Sequence, residues 1–219
     1  MLEIRYLSVG ILQTNTYLIF DRGSREGVLI DPGDEAERII DLVNRCGVRV
    51  KGIYLTHAHF DHLLALRDLR SDLACSFYLH RADEHLLKLA PHYAKEFIGR
   101  IIPPPPSPDG WIVDGQIIRI GEGFCKILHT PGHTPGSVCY LLEEERVVLT
   151  GDTLFAGSIG RTDLPGGDLE QLRSSILDKL LKLPDDYVIY PGHGPSSTIG
   201  VERRLNPFVR SFMDSRKVL

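Results

Sequence analysis

Three imidazoles and one carboxylate fall within six consecutive positions: His57, His59, Asp61 and His62 of the run Thr56-His57-Ala58-His59-Phe60-Asp61-His62. Each is a metal-ligand residue type. Without a cation, so crowded a group brings several titratable side chains together to no structural benefit. The strand pattern Lys51 to Leu55 ends where the run begins, and a helical pattern through Leu63, Leu64, Leu66 and Leu69 follows it. The run therefore occupies a strand-loop-helix position, where sites commonly lie in α/β proteins.

Three further residues stand beside a glycine at the end of an apolar strand. They are His133 in Thr130-Pro131-Gly132-His133-Thr134-Pro135-Gly136, Asp152 in Leu149-Thr150-Gly151-Asp152, and His193 in Tyr190-Pro191-Gly192-His193-Gly194. Taken singly, such residues read as turn or cap positions. Together with the first run they supply seven nitrogen and oxygen ligands from four strand ends, enough for two first-row metal ions with positions left for water and substrate.

The remaining pattern is a β-rich opening (Ile4 to Val9, Thr16 to Phe20, Gly27 to Ile30) and a helix from about Glu35 to Cys46, with Asp34 as N-cap and Gly47 as stop. Strand Phe77 to His80, helix Ala82 to Leu89 and a loop from Pro91 to Asp109 follow. The run Pro103-Pro104-Pro105-Pro106 in that loop must be extended, as a lid beside the site or as a stiff connector. Strands recur at Gln116 to Ile120, Cys125 to His129, Val138 to Leu142 and Val147 to Leu149. A helix Leu169 to Leu183, a strand Tyr187 to Tyr190 and a helical segment after Ile199 close the pattern.

Composition narrows the partners. Basic residues interleave with 29 acidic ones at a formal charge of −4, so no basic face for nucleic acid is expected. No apolar run approaches the roughly 18 residues of a membrane span, and no signal-peptide pattern follows Met1; a cytoplasmic protein is expected. Cys46, Cys75, Cys125 and Cys139 form no C-x-x-C pair and read as reduced, buried thiols. His80, His85 and His92 read as surface or capping residues, His129 as a hydrogen-bonded support, and Asn15 and Tyr17 as structural residues near the pocket.

The set His57-x-His59-x-Asp61-His62, His133, Asp152 and His193 resembles the full metal signature of the metallo-β-lactamase fold superfamily, over nearly the whole chain. That resemblance implies an α/β (α+β) fold, a four-layer αββα sandwich forming one domain over residues 1–219. It also implies that His57, His59 and His133 hold one metal, that Asp61, His62 and His193 hold the other, and that Asp152 bridges them. Two divalent ions, zinc first and iron or manganese as alternatives, would share a hydroxide made available near neutral pH. Asp61 and Asp152 are then the candidate catalytic carboxylates.

Within the superfamily, Asp61, His62 and His193 together point to hydrolases of the glyoxalase II (hydroxyacylglutathione hydrolase) kind, and Gly157-Ser158-Ile159-Gly160-Arg161-Thr162-Asp163 resembles their short single-domain branch. The implied reaction is hydrolysis of a small-molecule thioester such as S-lactoylglutathione, with Arg161 as candidate for an anionic substrate group or else paired with Asp163 to brace its loop. Gly160-Arg161-Thr162-Asp163 also resembles the persulfide dioxygenases, which implies oxidation of glutathione persulfide at mononuclear iron as the alternative. A non-catalytic metal-binding protein is a third.

Overall fold

A computed structural model describes residues 1–216, except for the side chain of Arg216. Its first sheet runs in the order of the chain: β1 (Leu2–Val9), β2 (Thr14–Asp21), β3 (Glu26–Ile30), β4 (Arg49–Tyr54), β5 (Ser76–His80) and β6 (Gly110–Ile112). Strands β1 to β3 form an antiparallel meander, and β3 to β6 pair in parallel. Parallel neighbours need a crossover, supplied by α1 (Ala36–Cys46), α2 (Leu66–Asp72) and α3 (Glu84–Ile98).

The second sheet contains β7 (Ile117–Ile120), β8 (Gly123–His129), β9 (Val138–Leu142) and β10 (Val147–Gly151), antiparallel in that order. Next to β10 comes the hairpin of β11 (Leu154–Phe155) and β12 (Ser158–Ile159), followed by α4 (Leu169–Asp178). Strand β13 (Val188–Pro191) then pairs in parallel with β10, and β14 (Ser197–Thr198) lies at the edge before α5 (Ile199–Leu205) and α6 (Pro207–Arg216).

Period-2 alternation sorts these elements into four layers. Leu18, Phe20 and Leu29 of the first sheet pack with Ile39, Val43, Leu66, Leu69 and Leu86 of α1 to α3, whereas Tyr17, Ile19, Val28 and Ile30 face Ile127, Tyr140 and Leu149 of the second sheet. On the far side of that sheet, Cys139, Leu141, Val148 and Ile189 bury against Leu172, Ile176, Ile199 and Val209 of α4 to α6. Strands β2, β3, β9 and β10 have both faces covered and are buried almost throughout, whereas β7 and β8 alternate toward solvent, and the αββα sandwich is observed as expected.

Several boundaries differ from the sequence expectation. The helix expected to stop at Leu89 continues through Pro91 to Ile98, so Pro91 lies within α3 and the irregular connector begins only at Gly99. Proline removes one helical N–H, and here the packing of Leu86, Leu87, Ala90 and Ala94 against the first sheet outweighs that loss. Asp34 does not cap α1. Its carboxylate accepts from Glu35 N and pairs with Arg100 at 2.7 Å, while Glu35 itself, left-handed at φ 55°, precedes the helix. The helix expected to reach Leu183 ends at Asp178, where Lys179 leaves α geometry and a 3₁₀ turn takes over Leu180–Lys182. Only Cys125 and Cys139 of the four free cysteines are fully buried; Cys46 and Cys75 are half-buried. Pro103, Pro105 and Pro106 line a surface pocket with Leu63, Leu64 and Arg67, and Arg67 Nη2 donates to Pro104 O at 3.4 Å.

Candidate metal centre

The loops at the ends of β4, β8, β10 and β13 meet along one edge between the sheets and carry all seven ligand-type side chains. Asp31, immediately after β3, organises the first of them. It sits at φ 51°, a left-handed conformation that Asp tolerates better than most residues. Its Oδ1 accepts from Thr56 N at 2.7 Å, and its Oδ2 accepts from Thr56 Oγ1 at 2.7 Å. The same Oδ2 lies 3.0 Å from His62 Nδ1.

Asp83 ties that loop to the next. Fully buried, it accepts from Ala58 N (3.0 Å), Thr134 Oγ1 (2.8 Å) and Gly136 N (2.6 Å), clamping the chain between His57 and His59 to the chain after His133. The last turn is held by Asn15, whose Nδ2 donates to Pro191 O and Gly194 O, and by Tyr17, whose hydroxyl donates to Pro191 O at 2.6 Å. Both are supports rather than lining residues. Gly192 is required by close approach, since a Cβ there would stand 2.1 Å from Asp152 Oδ1.

The outward hydrogen bonds settle which imidazole atoms face inward. Backbone carbonyls only accept, so His133 Nδ1 donates to Arg161 O at 2.8 Å and His193 Nδ1 donates to Leu12 O at 3.0 Å. His62 Nδ1 donates to Asp31. Thr56 Oγ1, already donating to Asp31, accepts from His57 Nδ1 at 3.0 Å. Four Nε2 atoms therefore converge, joined by Nδ1 of His59 at 3.1 Å from His57 Nε2 and 2.9 Å from His133 Nε2. Holding the distal N–H in this way is how proteins orient metal-ligating histidines.

Among the described residues, three groups bring their ligand atoms within 4.8 Å of one another: His57, His59 and His133; His57, His62 and Asp152; and Asp61, His62 and His193. Asp152 reaches toward both sides, with Oδ2 3.6 Å from His133 Nε2 and 3.7 Å from His193 Nε2, and Oδ1 3.5 Å from His62 Nε2. His62 Nε2 and Asp152 Oδ1 are buried without a hydrogen-bond partner. Buried polar atoms normally have one, and nitrogen lone pairs aimed at one another leave an acceptor-only hole that a cation fills. The donor set fits divalent metal.

Charge within the cluster is separated accordingly. Burial, then the neighbouring imidazoles, holds His57 well below the ordinary histidine range and pushes His59 down to about 3. Burial opposes ionisation of Asp61, but His62 and His193 more than offset it and hold this carboxyl below the usual range. Burial likewise disfavours a charged His62, yet the carboxylates of Asp61, Asp31 and Asp152 push it up to about 10. Without metal, a proton on His62 compensates the acidic side of the cluster.

A cavity of about 360 Å³ opens over the cluster. Arg161 lines it, with Nε and Nη2 donating to both carboxylate oxygens of Asp163 at 2.8 and 2.7 Å, so the loop-bracing expectation holds and the guanidinium still borders the site. Its other wall comes from α3, through Leu86, Tyr93 and Phe97; no residue of the proline run lines it. His92 pairs with exposed Glu96 away from the cavity, His80 stacks on His129 with ring centroids 4.2 Å apart, and His129 Nε2 donates to Pro135 O. Sequence reasoning missed Asp31, Asp83 and the α3 wall. Asp31 follows an apolar strand and precedes Pro32-Gly33, much as Asp152 follows β10, and that pattern is a usable signal. Asp83 has none, because its partners lie 25, 51 and 53 residues away.

This edge-of-sandwich cluster is the architecture of a metallo-hydrolase, and the chain belongs to the metallo-beta-lactamase superfamily, whose profile matches residues 9–193. It is 40% identical over 216 residues to the hydroxyacylglutathione hydrolase GloC of Haemophilus influenzae, covering 96% of this chain and 99% of that one. Among solved structures it superimposes on the BLEG-1 B3 metallo-beta-lactamase with a TM-score of 0.88 at 39% identity, covering 94% of this chain and 99% of the other. A di-iron-bound form of TTHA1623 gives 0.85 at 42% identity, over 93% and 99% of the two chains.

Proposed function

We propose that this protein is a dinuclear metal-dependent thioesterase acting on S-acylglutathione-type substrates such as S-lactoylglutathione. The observation that carries the reading is the convergence of imidazole nitrogens and the Asp61 and Asp152 carboxylates on three overlapping ligand groups, with His62 Nε2 and Asp152 Oδ1 left unpartnered. The 40% identity to GloC supports the thioester substrate.

In this reading His57, His59 and His133 hold one ion, Asp61, His62 and His193 the other, and Asp152 serves both. When bound, the metals supply Lewis-acid polarisation of the substrate carbonyl and a water acidic enough to react near neutral pH. The chain's own part is to keep the ligands aimed. Thr14 Oγ1 donates to Asp61 Oδ2 at 3.0 Å and fixes that carboxylate beside His193. Arg161, at the cavity rim, is the candidate partner for a carboxylate of the thiol half. No covalent nucleophile is required, and burial pushes the Cys139 thiol up to about 11, leaving it un-ionised. Zinc suits a thiolate leaving group, and iron or manganese suits the His/Asp donors equally. The reading entails a small-molecule partner and a cytoplasmic setting, and no helix among the described residues is long and apolar enough to cross a membrane.

Metal analysis together with turnover of S-lactoylglutathione tests this. Two ions per chain with thioester cleavage is the expected result, and a two-metal protein inert toward thioesters overturns it. The Gly160–Asp163 segment motivates one competing outcome, oxygen uptake with glutathione persulfide by protein holding a single iron.

A further inference from the structure

The cavity wall away from the ligand cluster is almost devoid of charge. Apart from five cluster residues and Arg161, every side chain lining it is apolar or aromatic. Leu86, Tyr93 and Phe97 stand seven and four residues apart on α3, which places them on one helical face. Phe60 stacks on Phe97 with ring centroids 6.1 Å apart and planes 13° from parallel. Phe60 is buried, whereas Phe97 is 52% exposed and Leu12 44% exposed, so apolar surface at the cavity remains open to be covered.

Tyr93 Oη is the one side-chain hydrogen-bonding group of this wall, so an acyl chain laid along Leu86 and Phe97 is covered by apolar surface, whereas a hydroxyl there loses water and must reach Tyr93 to recover a hydrogen bond. The charged parts of a tripeptide thiol are equally unsuited to it. Among the described residues Arg161 is the only Lys or Arg lining the cavity, so a carboxylate of the thiol half has one cationic partner there, carried on the connection from β12 to α4 rather than on α3. Resting on the thioesterase reading above, we infer that the α3 face of Leu86, Tyr93 and Phe97 is an acyl subsite, and that the preferred substrates are thioesters of apolar acyl groups, aliphatic or aryl, rather than hydroxyacyl ones. The subsite takes up the acyl tail while the carbonyl carbon lies over the cluster. Hydrolysis adds water across the C–S bond, giving the apolar carboxylic acid and the free thiol.

The test holds the thiol constant and varies the acyl group. Metal-loaded protein is assayed with S-acylglutathiones from acetyl to octanoyl and with S-lactoylglutathione, and binding of the matching S-alkylglutathione thioethers is measured by calorimetry. Each methylene covered by the wall is expected to raise kcat/KM about two- to fourfold, mostly through KM, until the wall is filled. Phe97→Ala should cut the octanoyl-to-acetyl ratio about fivefold or more, and Phe97→Leu should restore most of it. A length-independent profile, or lactoyl outperforming octanoyl, overturns the acyl subsite while leaving the thioesterase reading intact. If no thioester is cleaved by two-metal protein, that reading falls and thioether binding decides the subsite alone: affinity rising with alkyl length sustains it, and a flat series overturns it.

Discussion

Asp31 Oδ2 accepts the Nδ1 proton of His62 at 3.0 Å, with both side chains fully buried. One carboxylate thereby fixes the tautomer of a cluster imidazole and, through Thr56, the start of the loop that bears His57 and His59. Neutralising it with Asp31→Asn is expected to weaken metal binding by about 10- to 100-fold, the usual cost of losing a partner of a ligating histidine. Competition against a chromophoric chelator measures this, and wild-type affinity in the variant refutes it.

Metal and proton compete for the same imidazole. His62 is held up to about 10 by the carboxylates around it, so at pH 7 the metal-free protein keeps a proton that loading must expel. Burial disfavours a charged His193, but its hydrogen bond to Asp61 and the Asp152 carboxylate raise it as well, so apparent affinity should rise at least about tenfold per pH unit just above pH 7, with release of at least about one proton at pH 7. In the metal-free protein the sign is opposite. A raised histidine pKa stabilises the fold fully below about 6.5, and that contribution fades as pH climbs toward 10. Calorimetry in buffers of differing ionisation enthalpy reads the proton count, and zero release contradicts the assignment.

Removing metal should lower stability as well. Ions present at about 1,000 times their dissociation constant contribute about 4 kcal/mol, so chelation is expected to lower Tm by about 10 °C. An unchanged melting curve after verified metal removal would show that the cluster does not couple binding to folding.

Asp83 joins the two loops that carry His57, His59 and His133, and touches neither Asp61 nor His193. Asp83→Ala leaves the buried amides of Ala58 and Gly136 unpartnered, while Thr134 Oγ1 keeps Ser137 Oγ at 2.7 Å, and should cost about 3 kcal/mol. The milder Asp83→Asn is expected to empty the His57, His59 and His133 group first, so bound metal falls from two ions toward one. Equal loss from both groups would show that the clamp is a general fold support.

Gly192→Ala should be more damaging than its size suggests. The added methyl would lie 2.1 Å from Asp152 Oδ1 and 2.8 Å from His62 Cε1, so the carboxylate between the two groups must move. A loss of about 100-fold in kcat with a folded protein is expected, since displacements of an ångström near reacting groups carry that cost. Circular dichroism and metal content separate this from unfolding.

The seven ligand-type residues could be read directly, because metal chemistry admits few residue types: four of them crowd into six positions after one strand, and His133, Asp152 and His193 each follow a glycine at a strand end. The layers were legible for a similar reason: apolar runs such as Val147 to Leu149 are short, β-rich and bounded by turns. Where tertiary packing overrode a local preference, the reading failed. Pro91 looks like a helix breaker, yet α3 runs through it because its apolar face is buried against the first sheet, and that extension is what brings Tyr93 and Phe97 to the cavity.

The chain by itself therefore determined which atoms are available to hold metal and the sandwich that presents them, since both follow from residue type and short-range periodicity. Tertiary structure alone decided how those atoms are aimed and what stands opposite them. Asp31 and Asp83 act on loops tens of residues away, and the apolar wall exists only because α3 packs over the edge where the strands end. Contacts between distant segments are set by how the layers close on one another, which no local pattern encodes.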